Sequence, residues 1–544
     1  FPIAIPCGGV AAALAAGNTV ILKPASDTVL VAWELCQCFW RGGVSRKALQ
    51  FVPCSGGGEG RKLVNHPGVS AVILTGGTAT ARAMLRDNPR LNLSAETGGK
   101  DATIVTGLAD RDQAIKHVLH SAFSHAGQKC SATSLLLLEA EVYDDPAFRR
   151  SLCEAVRSLI VGSAWELETK MGPLIRPPAG DLETALKVLE PGEEWAVMPR
   201  NVPGNPNLWT PGVKYGVEPG SYTHLTEFFG PVLAVMRFEK LGEAVALVNQ
   251  TGYGLTSGLE SLDEREWDYW KENLRAGNLY INRVTTGAVV LRQPFGGLGK
   301  SSFGPGMKAG GPNYAAQFMD FEDVAPAKHA GPPGHPALAA LCEALRKRAP
   351  ELGSQATAEV ERIAAAAASY ARAFREEFSL EHDHFKLVGQ DNFRRYLPFR
   401  YVRVRVHPDD SPLDLFGRVC AAHVAGARVT VSVPKDFTSP ALKLLEEITE
   451  LWAAAIEFVE ETDDQLAGII AERQTDRVRY AAPERVPTVV AAAGENGIAI
   501  VSRAVSLEGR LELLWYLQEQ SISIDYHRYG NLGVRSDEQR APVL

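Results

Sequence analysis

Two short segments hold side chains whose types and spacing suit chemistry. In Gly127-Gln128-Lys129-Cys130-Ser131 a thiol stands among small residues, where a substrate can reach it. In Ser94-Ala95-Glu96-Thr97-Gly98-Gly99-Lys100 a carboxylate, 34 residues before that thiol, leads into a glycine turn. A cysteine attacks carbonyl carbon as its thiolate, and a carboxylate within reach can take a proton from water. Lys129 either favours the thiolate or points away from it. The other seven of the eight cysteines read as small buried hydrophobes. Cys36 and Cys38 share an apolar helical pattern with no second pair and no nearby His, so no metal site is expected.

The elements that must position these groups alternate between helix and strand. A small-residue helix from Val10 to Ala16 stops at Gly17 and leads into the β-branched run Thr19-Val20-Ile21-Leu22. A helix near Val29 to Trp40 follows, then a strand at Leu49-Gln50-Phe51-Val52, a glycine-rich turn at Gly56-Gly57-Gly58, and a helix ending near Asn65-His66-Pro67-Gly68. The strand Ala71-Val72-Ile73-Leu74 feeds Thr75-Gly76-Gly77-Thr78, which opens the next helix. There backbone N–H groups can approach a pyrophosphate. Such alternation predicts a mostly parallel sheet covered on both faces. Leu135 to Leu138 reads as a buried strand.

Beyond a Pro/Gly linker at Gly331-Pro332-Pro333-Gly334, Ala- and Arg-rich helices are predicted near Pro336 to Lys347 and Thr357 to Phe378, with Ala364 to Ala368 as a spacer. An internal echo comes next. Val419 to Gly426, then Val429-Thr430-Val431 and Pro434, repeats the spacing of Val10 to Gly17 and the strand after it. The echo has no lysine before Pro434, Tyr480-Ala481-Ala482-Pro483 in place of the glycine turn, and no counterpart of Cys130 or Glu96.

With 544 residues the chain has room for about three or four domains of ~150 residues. Its 45% apolar and 22% charged content is that of a globular protein with large cores. A net charge of −8 without a basic run argues against nucleic acid. The cysteines follow no disulfide spacing, which suits a reducing, cytoplasmic compartment. No apolar run reaches the ~18 residues of a membrane span, and no signal peptide is seen. Phe1-Pro2-Ile3-Ala4-Ile5 lacks a starting Met and reads as the interior of a strand-to-helix connection, so the chain is expected to be a fragment.

The Cys130 and Glu96 segments, at this spacing, resemble those of the aldehyde dehydrogenase superfamily. The resemblance implies an α/β aldehyde dehydrogenase fold, with Cys130 as nucleophile, Glu96 as general base and the Cys130 N–H as one oxyanion donor. The family's second donor, an asparagine, would stand just before Phe1. Lys23-Pro24-Ala25-Ser26 resembles the segment that holds the adenosine ribose. NAD is the expected cofactor, but Ser26 replaces the usual acid, which repels a 2′-phosphate, and so leaves NADP open. Gly76, Gly77 and Thr78 fall in the dinucleotide loop, where Ala81 replaces a frequent Gly. In Thr226-Glu227-Phe228-Phe229-Gly230-Pro231-Val232, Glu227 matches the residue on the nicotinamide ribose and Phe229 the ring beside it.

The segments Thr285-Thr286-Gly287-Ala288-Val289-Val290 and Lys308-Ala309-Gly310-Gly311-Pro312-Asn313-Tyr314 are similar to those of the glutamate γ-semialdehyde (pyrroline-5-carboxylate) dehydrogenases. More narrowly they resemble the dehydrogenase module of bifunctional bacterial proline utilization A proteins. The implied reaction oxidises L-glutamate γ-semialdehyde to L-glutamate. Its alternatives are another aldehyde as substrate, or an inactive scaffold. Ser131, beside the nucleophile, and Ser301 and Ser302 are the expected substrate-binding residues, with Ser302 in place of the family's glycine. The implied organisation is a partial dinucleotide-binding domain (1–95), a catalytic domain (96–325), a helical linker (326–384), a degenerate Rossmann-like domain (385–528) and a tail (529–544). Further expectations are a homo-oligomer within a larger bifunctional chain, and FAD only if a proline dehydrogenase domain precedes Phe1.

Overall fold

The computed structural model describes residues 1–323, 333–353, 356–452 and 454–542. The Gly331-Pro332 half of the expected linker lies outside these residues. Among the described residues no helix is long and apolar enough to cross a membrane.

A nine-stranded sheet forms the centre. Its strands run, edge to edge, Gln390–Pro398, Leu517–Asp525, Asn278–Ile281, Thr256–Glu260, Ala102–Val105, Leu135–Glu139, Val232–Phe238, Gly212–Tyr215 and Glu194–Val197. The seven inner strands are parallel and the two edge strands antiparallel. Leu135, Leu136, Leu137 and Leu138 are all fully buried, because both faces of a parallel sheet are covered. Leu136 and Leu138 enter one core with Phe123 and Phe148, while Leu135 and Leu137 enter the other with Trp270.

The N-terminal strands take another form than one continuous sheet. Val20–Leu22 pairs in parallel with Leu49–Phe51, while Val72–Thr75 pairs with Leu93–Glu96, onto which Ser302–Phe303 adds antiparallel. The strand Leu93–Glu96 crosses the expected domain boundary at residue 95, so the Glu96 side chain stands at the junction of the two units.

The C-terminal sheet contains Ile456–Glu461, Arg428–Pro434, Tyr401–Arg405, Arg477–Tyr480 and Ala499–Ser502, all parallel. Numbered along the chain, its order is 3-2-1-4-5, the first five strands of the doubly wound Rossmann order. The echo segment is its first helix, Pro412–Val424, started by a Ser411/Asp414 capping box and closed by Gly426 at φ 89°.

The expected helical linker is part of this unit rather than a connector. Helices Pro336–Arg348 and Ala356–Ala373 bury Leu341, Leu345, Ala366 and Ala367 in the same core as Val402, Val404 and Val429. The alanine run brings backbones together, since a Cβ on Gly509 would stand 2.5 Å from the Ser369 carbonyl oxygen. Strands Gln390–Pro398 and Leu517–Asp525 leave the C-terminal unit to finish the central sheet. The tail is pinned by Arg535 and Arg540 on Asp391, and Arg528 pairs with Asp110 at 2.6 Å.

Candidate active site

Cys130 is placed by an unusual backbone. Helix Arg111–Phe123, capped by Asp110 on the Gln113 N–H, ends in a left-handed run at His125, Ala126 and Gly127, with φ of 55°, 54° and 67°. Non-glycine residues hold such angles only where their surroundings impose them. Gly127 is required here, because a Cβ would lie 2.3 Å from the Gly230 carbonyl oxygen. After the cysteine, the Ser131 carbonyl accepts from the Thr285 hydroxyl at 3.0 Å, so the Cys130 segment is fastened to the 285–290 loop.

Cys130 is half-buried. Loss of hydration, then the carboxylates of Asp101, Glu96 and Glu227, push its thiol up to about 12. Lys129 does little to offset this, since its ammonium donates to the Ser124 hydroxyl at 3.2 Å and lies 5.4 Å over the Phe1 ring. The Asp101 carboxyl accepts the Thr256 N–H at 2.7 Å and is itself raised by burial.

Glu96 ends a strand at the position paired with Thr75, directly before the glycine turn, and opposite Ser302. Its carboxylate accepts the Gly297 N–H at 2.8 Å and the Ser302 hydroxyl at 3.3 Å. Part of its surface stays accessible, as a base that must meet water requires. The protein around it still strips enough hydration to raise the carboxyl to about 7, against the opposing pull of Lys308 and the Gly297 N–H. A base at that value is half ionised near neutral pH, where general-base catalysis is most effective.

Lys308 escaped the site reading of the sequence. It is buried, stands 212 residues from Glu96 in the chain, and no local pattern connects the two. Ser301, expected on the substrate, is fully buried, and its hydroxyl accepts the Gly254 N–H at 3.1 Å. Ser302 meets Glu96. The 285–290 loop instead offers Thr286, whose buried hydroxyl has no hydrogen-bond partner among the described residues.

Of the residues expected on a dinucleotide, Gly76 and Glu227 lie by the same strand end, the Gly76 N–H donating to the Glu96 carbonyl at 3.1 Å. Gly77 starts helix Thr78–Asp87 with no side-chain cap, leaving its first-turn N–H groups without a side-chain acceptor. The Glu227 carboxylate accepts the Gly99 N–H at 2.9 Å and covers Gly98, where a Cβ would stand 1.8 Å from it. Phe229 holds φ at 53° and exposes 41% of its surface beside this carboxylate, while Phe228 packs inward under the Lys100 ammonium at 4.2 Å. Lys23 reaches the Pro24 carbonyl at 2.8 Å beside Gly60, and Ser26 is exposed. An uncapped helix start, a half-buried carboxylate and an exposed ring fit a pyrophosphate, a ribose and a nicotinamide in turn. Among the described residues no cluster of three or more His, Cys, Asp or Glu is placed to hold a metal ion.

The profile of the aldehyde dehydrogenase family matches residues 1–324. A 1-pyrroline-5-carboxylate dehydrogenase of Geobacillus thermodenitrificans is 34% identical over 335 residues, 60% of this chain and 64% of that protein. The structure of proline utilization A from Corynebacterium freiburgense superposes with a TM-score of 0.80 at 37% identity, over 97% of this chain and 49% of that one. A Thermus 1-pyrroline-5-carboxylate dehydrogenase with bound NAD gives 0.54 at 34% identity, over 58% of this chain and 62% of that one. The chain therefore spans less than two thirds of the curated relatives it matches.

Proposed function

The chain belongs to the aldehyde dehydrogenase family, and on that footing we propose that it oxidises L-glutamate γ-semialdehyde to L-glutamate with NAD, using Cys130 as nucleophile and Glu96 as general base. What supports this reading is a carboxyl held near neutrality within electrostatic reach of the thiol, at the strand end where the glycine turn begins. The relatives named for pyrroline-5-carboxylate support the substrate, and the NAD-bound Thermus relative supports the cofactor.

Cys130 gives up its proton as it attacks the aldehyde carbon, and its own backbone N–H faces the oxyanion of the resulting thiohemiacetal. Glu227 and Phe229 would hold the ribose and ring of NAD, which when bound would supply the hydride acceptor. The Cys130 thioester left behind needs a water made nucleophilic. Glu96, fixed by the Gly297 N–H and the Ser302 hydroxyl, takes that water's proton. Hydrolysis releases the carboxylate product and returns the thiol. The unpartnered Thr286 hydroxyl, one residue from the Thr285–Ser131 link, serves the polar end of the substrate. The C. freiburgense relative, of which this chain covers 49%, supports a place for this module within a larger chain, and a similar structure titled bifunctional proline utilization A supports a bifunctional one.

The test is reduction of NAD and of NADP by the purified chain with glutamate γ-semialdehyde or propanal, beside a Cys130→Ala control. Cys130-dependent reduction of NAD that favours the semialdehyde is expected. Equal rates with propanal would overturn the substrate, and a faster reaction with NADP would overturn the cofactor.

A further inference from the structure

The Glu96 carboxylate and the Lys308 side chain both crowd the same glycine. A Cβ on Gly296 would lie 2.7 Å from one Glu96 oxygen and 3.3 Å from the Lys308 Cγ. The Lys308 ammonium donates to the Gly296 carbonyl in a short hydrogen bond and to the Asn278 side-chain oxygen at 3.4 Å. That same oxygen accepts the Gly296 N–H at 3.2 Å, and the Asn278 amide donates to the Pro294 carbonyl at 3.0 Å. The next N–H, that of Gly297, is the one that holds Glu96. Lys308 is itself held in place. Ala309 and Phe295 exchange backbone hydrogen bonds at 2.9 and 3.0 Å, and the Lys308 N–H donates to Glu519 at 3.3 Å. Glu519 lies on the strand Leu517–Asp525, which arrives from the C-terminal unit.

We propose that Lys308 is a positioning residue for thioester hydrolysis: its ammonium fixes the Gly296–Gly297 turn against Glu96 and keeps that carboxylate aimed and in its base form. The inference rests on the dehydrogenase reading for its catalytic consequence, and on the turn geometry alone for its effect on Glu96. The charged and titratable groups acting on Glu96 and Lys308 are few. They are Lys308 on Glu96, Glu519 on Lys308, and Cys130 and Tyr314, which feel Glu96 in turn. Lys308 is thus the nearby cation that opposes the loss of hydration at Glu96. A neutral residue in its place leaves burial unopposed, so Glu96 holds its proton to higher pH.

Two variants of the full chain separate this from a packing role. Lys308→Met removes charge and donor. Lys308→Gln removes the charge and keeps a polar donor, and it serves alone should Lys308→Met fail to fold. The first readout needs no substrate: an infrared pH titration of protonated carboxyl, with Glu96→Gln identifying the Glu96 band. The midpoint should rise by about one pH unit or more, equivalent to a tenfold smaller base population below it. The second readout is kinetic. Hydrolytic turnover at pH 7 should fall about fivefold or more and recover as pH is raised, while the initial burst of reduced cofactor stays within about twofold. An unmoved carboxyl midpoint in a folded variant would overturn the proposal, as would a turnover loss that is equal at every pH. A midpoint that moves in a chain unable to oxidise the semialdehyde would leave the clamp standing and sink the dehydrogenase reading instead.

Discussion

In the ligand-free protein the Cys130 thiol, the proposed nucleophile, should be slow to react. Burial and three carboxylates raise Cys130 to about 12 from an ordinary 9.0, which lowers its thiolate population at pH 8 by roughly 1,000-fold. A more basic thiolate is also the better nucleophile, which returns roughly 15- to 30-fold of that loss. Iodoacetamide should therefore alkylate Cys130 about 30- to 60-fold more slowly than an ordinary exposed thiol. The assay is peptide mapping by mass spectrometry over a time course from pH 7 to 10, with exposed Cys38 as internal comparison. The Cys130 rate should climb about tenfold per pH unit with no plateau in that range. Restricted access alone would lower the rate at every pH and leave the plateau of an ordinary thiol in place, so the profile separates the two causes. Glu96→Gln, which removes one of the carboxylates, should quicken the reaction. Labelling of Cys130 at pH 8 as fast as Cys38, or a plateau below pH 9, would refute the electrostatic reasoning.

Turnover in the wild type should rise with pH and flatten above about 7, because only ionised Glu96 accepts the water's proton. Glu96→Gln should lose about 100- to 10,000-fold in turnover and keep its burst of reduced cofactor in stopped flow. Gly98→Ala would place a Cβ 1.8 Å from a Glu227 oxygen. Fluorescence titration should then find NAD bound about tenfold more weakly, a loss near 1.4 kcal/mol. In the same assay, Ser26→Glu should weaken NADP while leaving NAD nearly unchanged, since an added carboxylate repels the 2′-phosphate. In the C-terminal unit, Arg479 and Glu512 are both fully buried and paired at 2.9 Å. Arg479→Met strands the Glu512 charge and should cost about 3–5 kcal/mol in denaturant titration, and Arg479→Met with Glu512→Leu should recover much of it.

The sequence by itself determined the candidate pair, Cys130 and Glu96, and the order of elements. Cys130 and Glu96 each stand in a local segment of small residues and glycines, and the helices and strands of the first hundred residues follow from periodicity and stop signals that act over a few positions. The turn at Gly76-Gly77 was legible for the same reason, being a strand end, two glycines and a helix start in succession. Tertiary structure alone decided three things. Ser301 looks like a substrate ligand by its type and neighbours, yet pairing of Ser302 with Glu96 turns the preceding hydroxyl onto Gly254. The strands Gln390–Pro398 and Leu517–Asp525 belong by sequence to the C-terminal unit, yet they complete the central sheet, because an open sheet edge offers unpaired backbone groups to a strand brought beside it from anywhere in the chain. Lys308 reaches the turn beside Glu96 only after the chain has crossed the sheet several times. Burial then changes what each of these charges does, and burial is a property of the packed molecule that no short segment carries.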